Sequence, residues 1–158
     1  GTMTIESFSH VLSTALIETL EHHTDRLPGD KIYGATLVCT GSTLIPSFNV
    51  LADLGDDCLS PVHRWSPASC GLALQTPRLT EVCALFDAHL DSTPALTRAL
   101  GSQPLRATFA RLGAEPILYI YDETAGGIER RSFTSLNAGR ESEPYYVQAA
   151  KLVAGGDS

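Results

Sequence analysis

The chain changes its hydrophobic period early, and the change separates two kinds of backbone. From Thr4 to His23 the apolar residues Ile5, Phe8, Val11, Leu12, Ala15, Leu16 and Leu20 recur three and four apart, which is one stripe of an amphipathic helix. His22-His23 ends that stripe, and Leu27-Pro28-Gly29-Asp30 is a turn. Ile32 to Cys39 is then short and uniformly β-rich, so it predicts a buried strand closed by Gly41. A helix followed by a buried strand needs a layered α+β solution, because the stripe and the strand must cover each other.

The rest of the chain extends that pattern. Between Ser42 and Leu59, Leu44-Ile45 suggests a second strand, and Ser47 is placed to cap a short helix through Phe48, Val50, Leu51 and Leu54. Thr76-Pro77 opens a helix with a cap and a proline at its first position, and Leu79, Val82, Leu85, Phe86 and Leu90 form its inner face. Thr93-Pro94 repeats the device. Its helix carries Leu96 and Leu100, breaks around Gly101 to Pro104, and resumes through Leu105, Phe109 and Leu112 to a stop at Gly113. Ile117 to Tyr121 is the clearest strand. Asp122 to Gly127 supplies turn chemistry, Glu129 to Ser135 is expected to return as an antiparallel partner, and Pro144 to Val153 reads as a closing helix. The expected fold is α+β, a small and mainly antiparallel sheet with helices packed on it.

At 158 residues, 43% hydrophobic and 18% charged, the chain can bury roughly 70% of its unfolded surface without a staple. No repeat or linker divides it. Residues 4–153 are therefore expected to form a single domain, with 1–3 an expression scar and start, and 154–158 a flexible tail. No apolar run is long enough to cross a bilayer, and residues 1–25 lack the features of a signal peptide, so the expected location is cytoplasmic. Cys39, Cys58, Cys70 and Cys83 include no CxxC pair, which makes free thiols the expectation.

The formal net charge of −7, with two lysines and nine scattered arginines, disfavours nucleic acid and anionic membrane as partners, because counterion release requires a clustered basic face. Arg130-Arg131 is the sole basic doublet. Chemistry is sparse. There is no GxSxG elbow, and Cys39-Thr40-Gly41-Ser42-Thr43 lacks the lysine and glycine spacing of a phosphate loop. Glu18 and His22 share a helix face and His23 adds a second imidazole, but a catalytic metal site takes three protein ligands and an open position. Imidazoles in a last helical turn are also favoured by the macrodipole. His10, His63 and His89 are isolated. No cofactor and no metal are expected. Acidic residues gather at Asp53, Asp56 and Asp57, and again at Asp122 and Glu123, without the alternating oxygen ligands of a calcium loop. They form candidate partner-binding positions facing a basic surface. An alternative reading is a small enzyme or nucleotide-responsive domain, with His63, Arg64 and a carboxylate such as Asp57 converging in a pocket.

Trp65 is the only tryptophan, in Val62-His63-Arg64-Trp65-Ser66-Pro67-Ala68, and a late segment reads Arg131-Ser132-Phe133-Thr134-Ser135-Leu136-Asn137 after a strand that ends at Asp122. With the N-terminal helix, the Ile32-Tyr33-Gly34-Ala35 strand and the Asn49 segment, this order resembles a bacterial family of small immunity-like proteins, related to the SUKH group and found near polymorphic toxins. Ser69-Cys70-Gly71 stands where that pattern has a second tryptophan. The resemblance implies a non-enzymatic immunity protein that binds a cognate toxin in the cytosol. Trp65 joins the acidic residues as a candidate contact, although a lone tryptophan is also a natural core residue.

Overall fold

A computed structural model describes residues 4–25, 32–40, 43–50, 64–66, 71–86 and 93–153. Helix α1 (Ile5–His22) starts where the Thr4 hydroxyl accepts the Ser7 backbone N–H at 3.1 Å. It is followed by strands β1 (Ile32–Thr40), β2 (Thr43–Val50) and β3 (Gly71–Leu72), then helices α2 (Pro77–Cys83), α3 (Thr93–Leu100) and α4 (Gln103–Arg111). Strands β4 (Ile117–Asp122) and β5 (Gly127–Ile128) precede α5 (Arg130–Leu136) and α6 (Pro144–Ala150). The fold is α+β, as the periodicity predicts. No described helix is long and apolar enough to cross a membrane.

The five strands lie in the order β3-β2-β1-β4-β5. Three of the four pairings are antiparallel, and the central one, β1 with β4, is parallel. Parallel neighbours need a long crossover. Here the crossover is the whole stretch from β2 to α4, so the two clearest strands in the sequence meet only after most of the chain has been laid down.

Alternation along the strands builds two cores. Ala35 and Leu37 of β1, Leu44, Phe48 and Val50 of β2, and Leu118 and Ile120 of β4 share one apolar cluster with Phe8, Leu12 and Leu16 of α1 and with α2, α3 and α4. Ile117 and Tyr119 turn the other way, into a second cluster with Tyr33, Trp65, Ile128, Phe133 and Ala149. Helix α5 serves both, because Phe133 enters the second cluster and Leu136 the first. The buried hydroxyls of α1 tie the helical layer together. Ser13 Oγ lies 2.6 Å from Ser102 Oγ, the N-cap of α4, and Thr19 Oγ1 lies 3.1 Å from Thr76 Oγ1, the N-cap of α2.

Four expected elements differ. The helix expected from Ser47 is absent over the described residues, and 43–50 continues as strand, because Phe48 and Val50 alternate with Ser47 and Asn49 between the faces. The antiparallel return expected over Glu129 to Ser135 does not form there; the strand is Gly127–Ile128, just before that range, and α5 follows at once. Glu129 causes this by accepting the Arg131 and Ser132 backbone N–H groups at 3.1 and 2.6 Å, an N-cap that starts a helix. Helix α2 ends at Cys83, which leaves Leu85 55% exposed instead of on its inner face, and Leu90 lies outside the described residues. Helix α6 stops at Ala150, three residues before the expected end.

Candidate functional site

The segment Arg64-Trp65-Ser66 is locked onto the second face of the sheet. The Arg64 carbonyl accepts the Tyr33 hydroxyl at 2.6 Å and Asn49 Nδ2 at 3.2 Å. The Tyr119 hydroxyl lies 2.9 Å from Asn49 Oδ1 and 3.1 Å from the Trp65 carbonyl oxygen, two acceptors for its one proton. Trp65 Nε1 donates to Gln148 Oε1 at 3.3 Å, and the indole meets Tyr33, Tyr119 and Tyr145 edge to face with centroids 5.1, 5.8 and 5.9 Å away. The Arg64 guanidinium sits over the Tyr145 ring at 5.8 Å.

Sequence features make this clamp possible. A bulge between Ile32 and Gly34 turns Tyr33 toward the tryptophan, and Gly34 leaves room for it. A Cβ on Gly34 would stand 2.9 Å from Asn49 Oδ1 and 3.1 Å from Trp65 Cζ3. Burial pushes the Tyr33 phenol up to about 12 and raises that of Tyr119 further, so both remain neutral hydrogen-bond donors across the physiological range. These donors are spent on backbone carbonyls and on Asn49. The arrangement holds chain; it presents no activated group of its own.

The candidate residues fall in different places. Trp65 is wholly buried, so its indole serves the core and is not offered to a partner. Asp53, Asp56, Asp57 and His63 lie outside the described residues, as do Cys58, Cys70 and His89. Asp122 is engaged locally, its Oδ1 accepting the Thr124 and Ala125 backbone N–H groups at 2.9 and 3.2 Å, which shapes the turn between β4 and β5. Glu123 follows it on the exposed side of that turn, anchored through its backbone N–H to the Cys39 carbonyl at 3.1 Å. Glu18 pairs with Arg78 at 3.6 Å, while His23 Nε2 lies 3.3 Å from the Gln75 carbonyl oxygen. Among the described residues no group of three or more His, Cys, Asp or Glu is placed to hold a metal. Cys39 and Cys83 are free thiols, raised by burial to about 12 and about 11.

Asn137, the last residue of the late motif, does what sequence reading did not assign to it. It is fully buried, its Oδ1 accepts the Leu118 N–H at 3.0 Å, and its Nδ2 donates to the Leu118 and Phe133 carbonyls at 2.7 and 2.9 Å. One side-chain amide thereby satisfies both polar groups of a residue in β4, in the place of a neighbouring strand. Trp65 and Asn137 are thus interior staples, Trp65 packed against Tyr33 and Tyr119 and Asn137 bonded to the Leu118 backbone. Comparison with family models, with curated proteins and with solved structures finds no match to this chain.

Proposed function

We propose that this chain is a non-enzymatic protein-binding domain, an immunity protein that neutralises a cognate bacterial toxin by docking an acidic surface on it. The observation that carries the reading is the sign of the charge and the exposure of the acids that bear it. The chain has a net charge of −7, and Asp25, Glu81, Glu115 and Glu123 are all exposed. Asp53, Asp56 and Asp57, which lie outside the described residues, add three carboxylates within five positions of the sequence. Such an acidic chain suits a partner with a basic surface, because complementary charge raises the association rate and selects the partner. Nucleic acid and anionic membrane do not fit that sign.

The test is binding to the toxin domain encoded beside this gene. Wild-type protein should form a complex that survives size-exclusion chromatography and should protect cells expressing the toxin. Replacing Asp53, Asp56, Asp57 and Glu123 by their amides should slow association about tenfold at low salt and leave dissociation nearly unchanged. That difference should shrink as the Debye length falls to about 8 Å near physiological ionic strength. No complex and no protection would defeat the immunity reading. A complex whose association rate ignores the four substitutions would defeat the acidic surface alone.

A further inference from the structure

A half-open concavity of about 340 Å³ lies where the start of β4 meets α4 and the residues leading into α6. Its floor is apolar, made by the buried side chains of Phe109, Ala114, Pro116 and Leu118, and Ala110 is exposed at its rim. Two guanidinium groups line it, and they are not equivalent. Arg140 is neutralised: Nε and Nη2 grip the two carboxylate oxygens of Glu143 at 2.8 and 2.7 Å, and its other donors hold the Pro116 and Glu115 carbonyls. Arg106 has no carboxylate partner among the described residues. Its Nε donates to the Gly101 carbonyl at 3.0 Å and its Nη2 to the Leu136 carbonyl at 2.9 Å, at the ends of α3 and α5.

Those two bonds use two of the five N–H donors of an arginine and fix the plane of the group. Three donors remain on a side chain that lines the concavity. Burial, and then the nearby Arg140 charge, hold Arg106 below the usual arginine range. An anion that entered would be met by a pre-oriented fork on one side and an apolar floor on the other. Glu115 and Glu143 also line the space, which disfavours a compact dianion such as phosphate and favours a single negative charge on an apolar body. The volume lies near the lower end of the range for small-molecule sites.

We propose that this concavity binds a small organic carboxylate, its charge held by Arg106 and its apolar body seated on Phe109, Ala114 and Leu118. The site does not depend on the toxin-binding reading, and of the acids named there only Glu115 borders it. The experiment titrates ¹⁵N-labelled full-length protein with benzoate, with benzamide and with inorganic phosphate, followed by amide and Arg Nε–H shifts. Benzoate should saturate, shifting Ala110, Ala114 and the Arg106 Nε–H, and should bind about tenfold tighter than benzamide, because only the charged group completes the fork. Phosphate should not compete. Arg106→Gln should remove the preference for benzoate over benzamide. Should that variant fail to fold, Ala110→Phe at the exposed rim fills the mouth with no change to the floor, and it should abolish binding of both probes. Equal affinity for the two probes, displacement by phosphate, absence of saturation, or undiminished binding by Ala110→Phe would each overturn the proposal.

Discussion

Asn137→Ala should be among the most destabilising single changes in this protein, although it removes only a small polar side chain. The wild-type amide closes three hydrogen bonds in a fully buried site, two of them to Leu118. The Phe133 carbonyl keeps the Asn137 backbone N–H at 3.2 Å in the variant, so it is not orphaned. The Leu118 N–H and C=O are, and each buried group left without a partner costs about 1–3 kcal/mol. The expected loss is about 2–6 kcal/mol, a large part of the roughly 5–15 kcal/mol that holds a domain together. Urea unfolding followed by tryptophan emission reads it directly. With a slope of about 2 kcal/mol per molar urea, the midpoint should fall by about 1–3 M at unchanged slope. Asn137→Asp separates hydrogen bonding from lost volume. Its carboxylate can still accept from the Leu118 N–H, but when ionised it faces the Leu118 and Phe133 carbonyls with no donor. Burial and those carbonyls raise its folded pKa above the unfolded value of about 3.9. A raised acid is most stabilising below the unfolded pKa and loses that contribution as pH rises, so the penalty of Asn137→Asp should be smaller at pH 4 than at pH 7. A cost below about 1 kcal/mol for Asn137→Ala, or a pH-independent cost for Asn137→Asp, would refute the assignment of Asn137 as a surrogate strand.

Two further outcomes follow from the same structure. Gly34→Ala should cost about 1–3 kcal/mol, because Asn49 cannot retreat from the new methyl group without giving up Arg64 or Tyr119, and the emission of Trp65 should move to the red as its cover loosens; an unshifted midpoint and spectrum would contradict the clamp. Glu129→Ala should cost about 1 kcal/mol at pH 7 as the cap of α5 is lost. Burial alone would raise the Glu129 pKa, but hydrogen bonds from Ser132 and Arg131, with the Arg131 charge, outweigh it and hold the carboxyl below the usual range. A depressed acid contributes above its unfolded pKa and stops contributing as pH falls through the folded one, so thermal midpoints of wild type and variant should converge in acid.

What the sequence made legible was local and periodic. The stripe of α1, the Thr76 cap of α2 and the two apolar strands are each set by residues within one or two turns of one another, and local pattern reads them. The helix over Arg130–Leu136 was hidden because its cap is glutamate, which is outside the usual set of Ser, Thr, Asp and Asn, and because the segment it opens is short, with three hydroxyl residues and only Phe133 and Leu136 to mark a helical face. The parallel pairing of β1 with β4 was hidden for another reason. Nothing in Ile32–Thr40 or Ile117–Asp122 states which strand will lie beside it, and the answer depends on a crossover of several elements.

The legibility of the site divides along the same line. Trp65 stands out in the sequence as a lone large aromatic and Asn137 as the end of the late motif, and both serve folding: each is fully buried, with its polar atoms bonded inside the protein. A residue so committed cannot also contact a partner without being pulled from the core. The surface available for recognition is therefore composed of side chains with no structural duty, and in sequence these carry no pattern beyond their charge. Glu123 illustrates the point beside Asp122: the two are adjacent acids, but Asp122 builds the turn with its side chain, whereas Glu123 is anchored through its backbone and leaves its carboxylate exposed. Asp122→Asn would keep the Oδ1 acceptor but weaken two charge-assisted hydrogen bonds of the turn along with the charge, whereas the Glu123 carboxylate takes no part in the turn, so Glu123→Gln is the substitution that isolates electrostatics from folding in the association measurement.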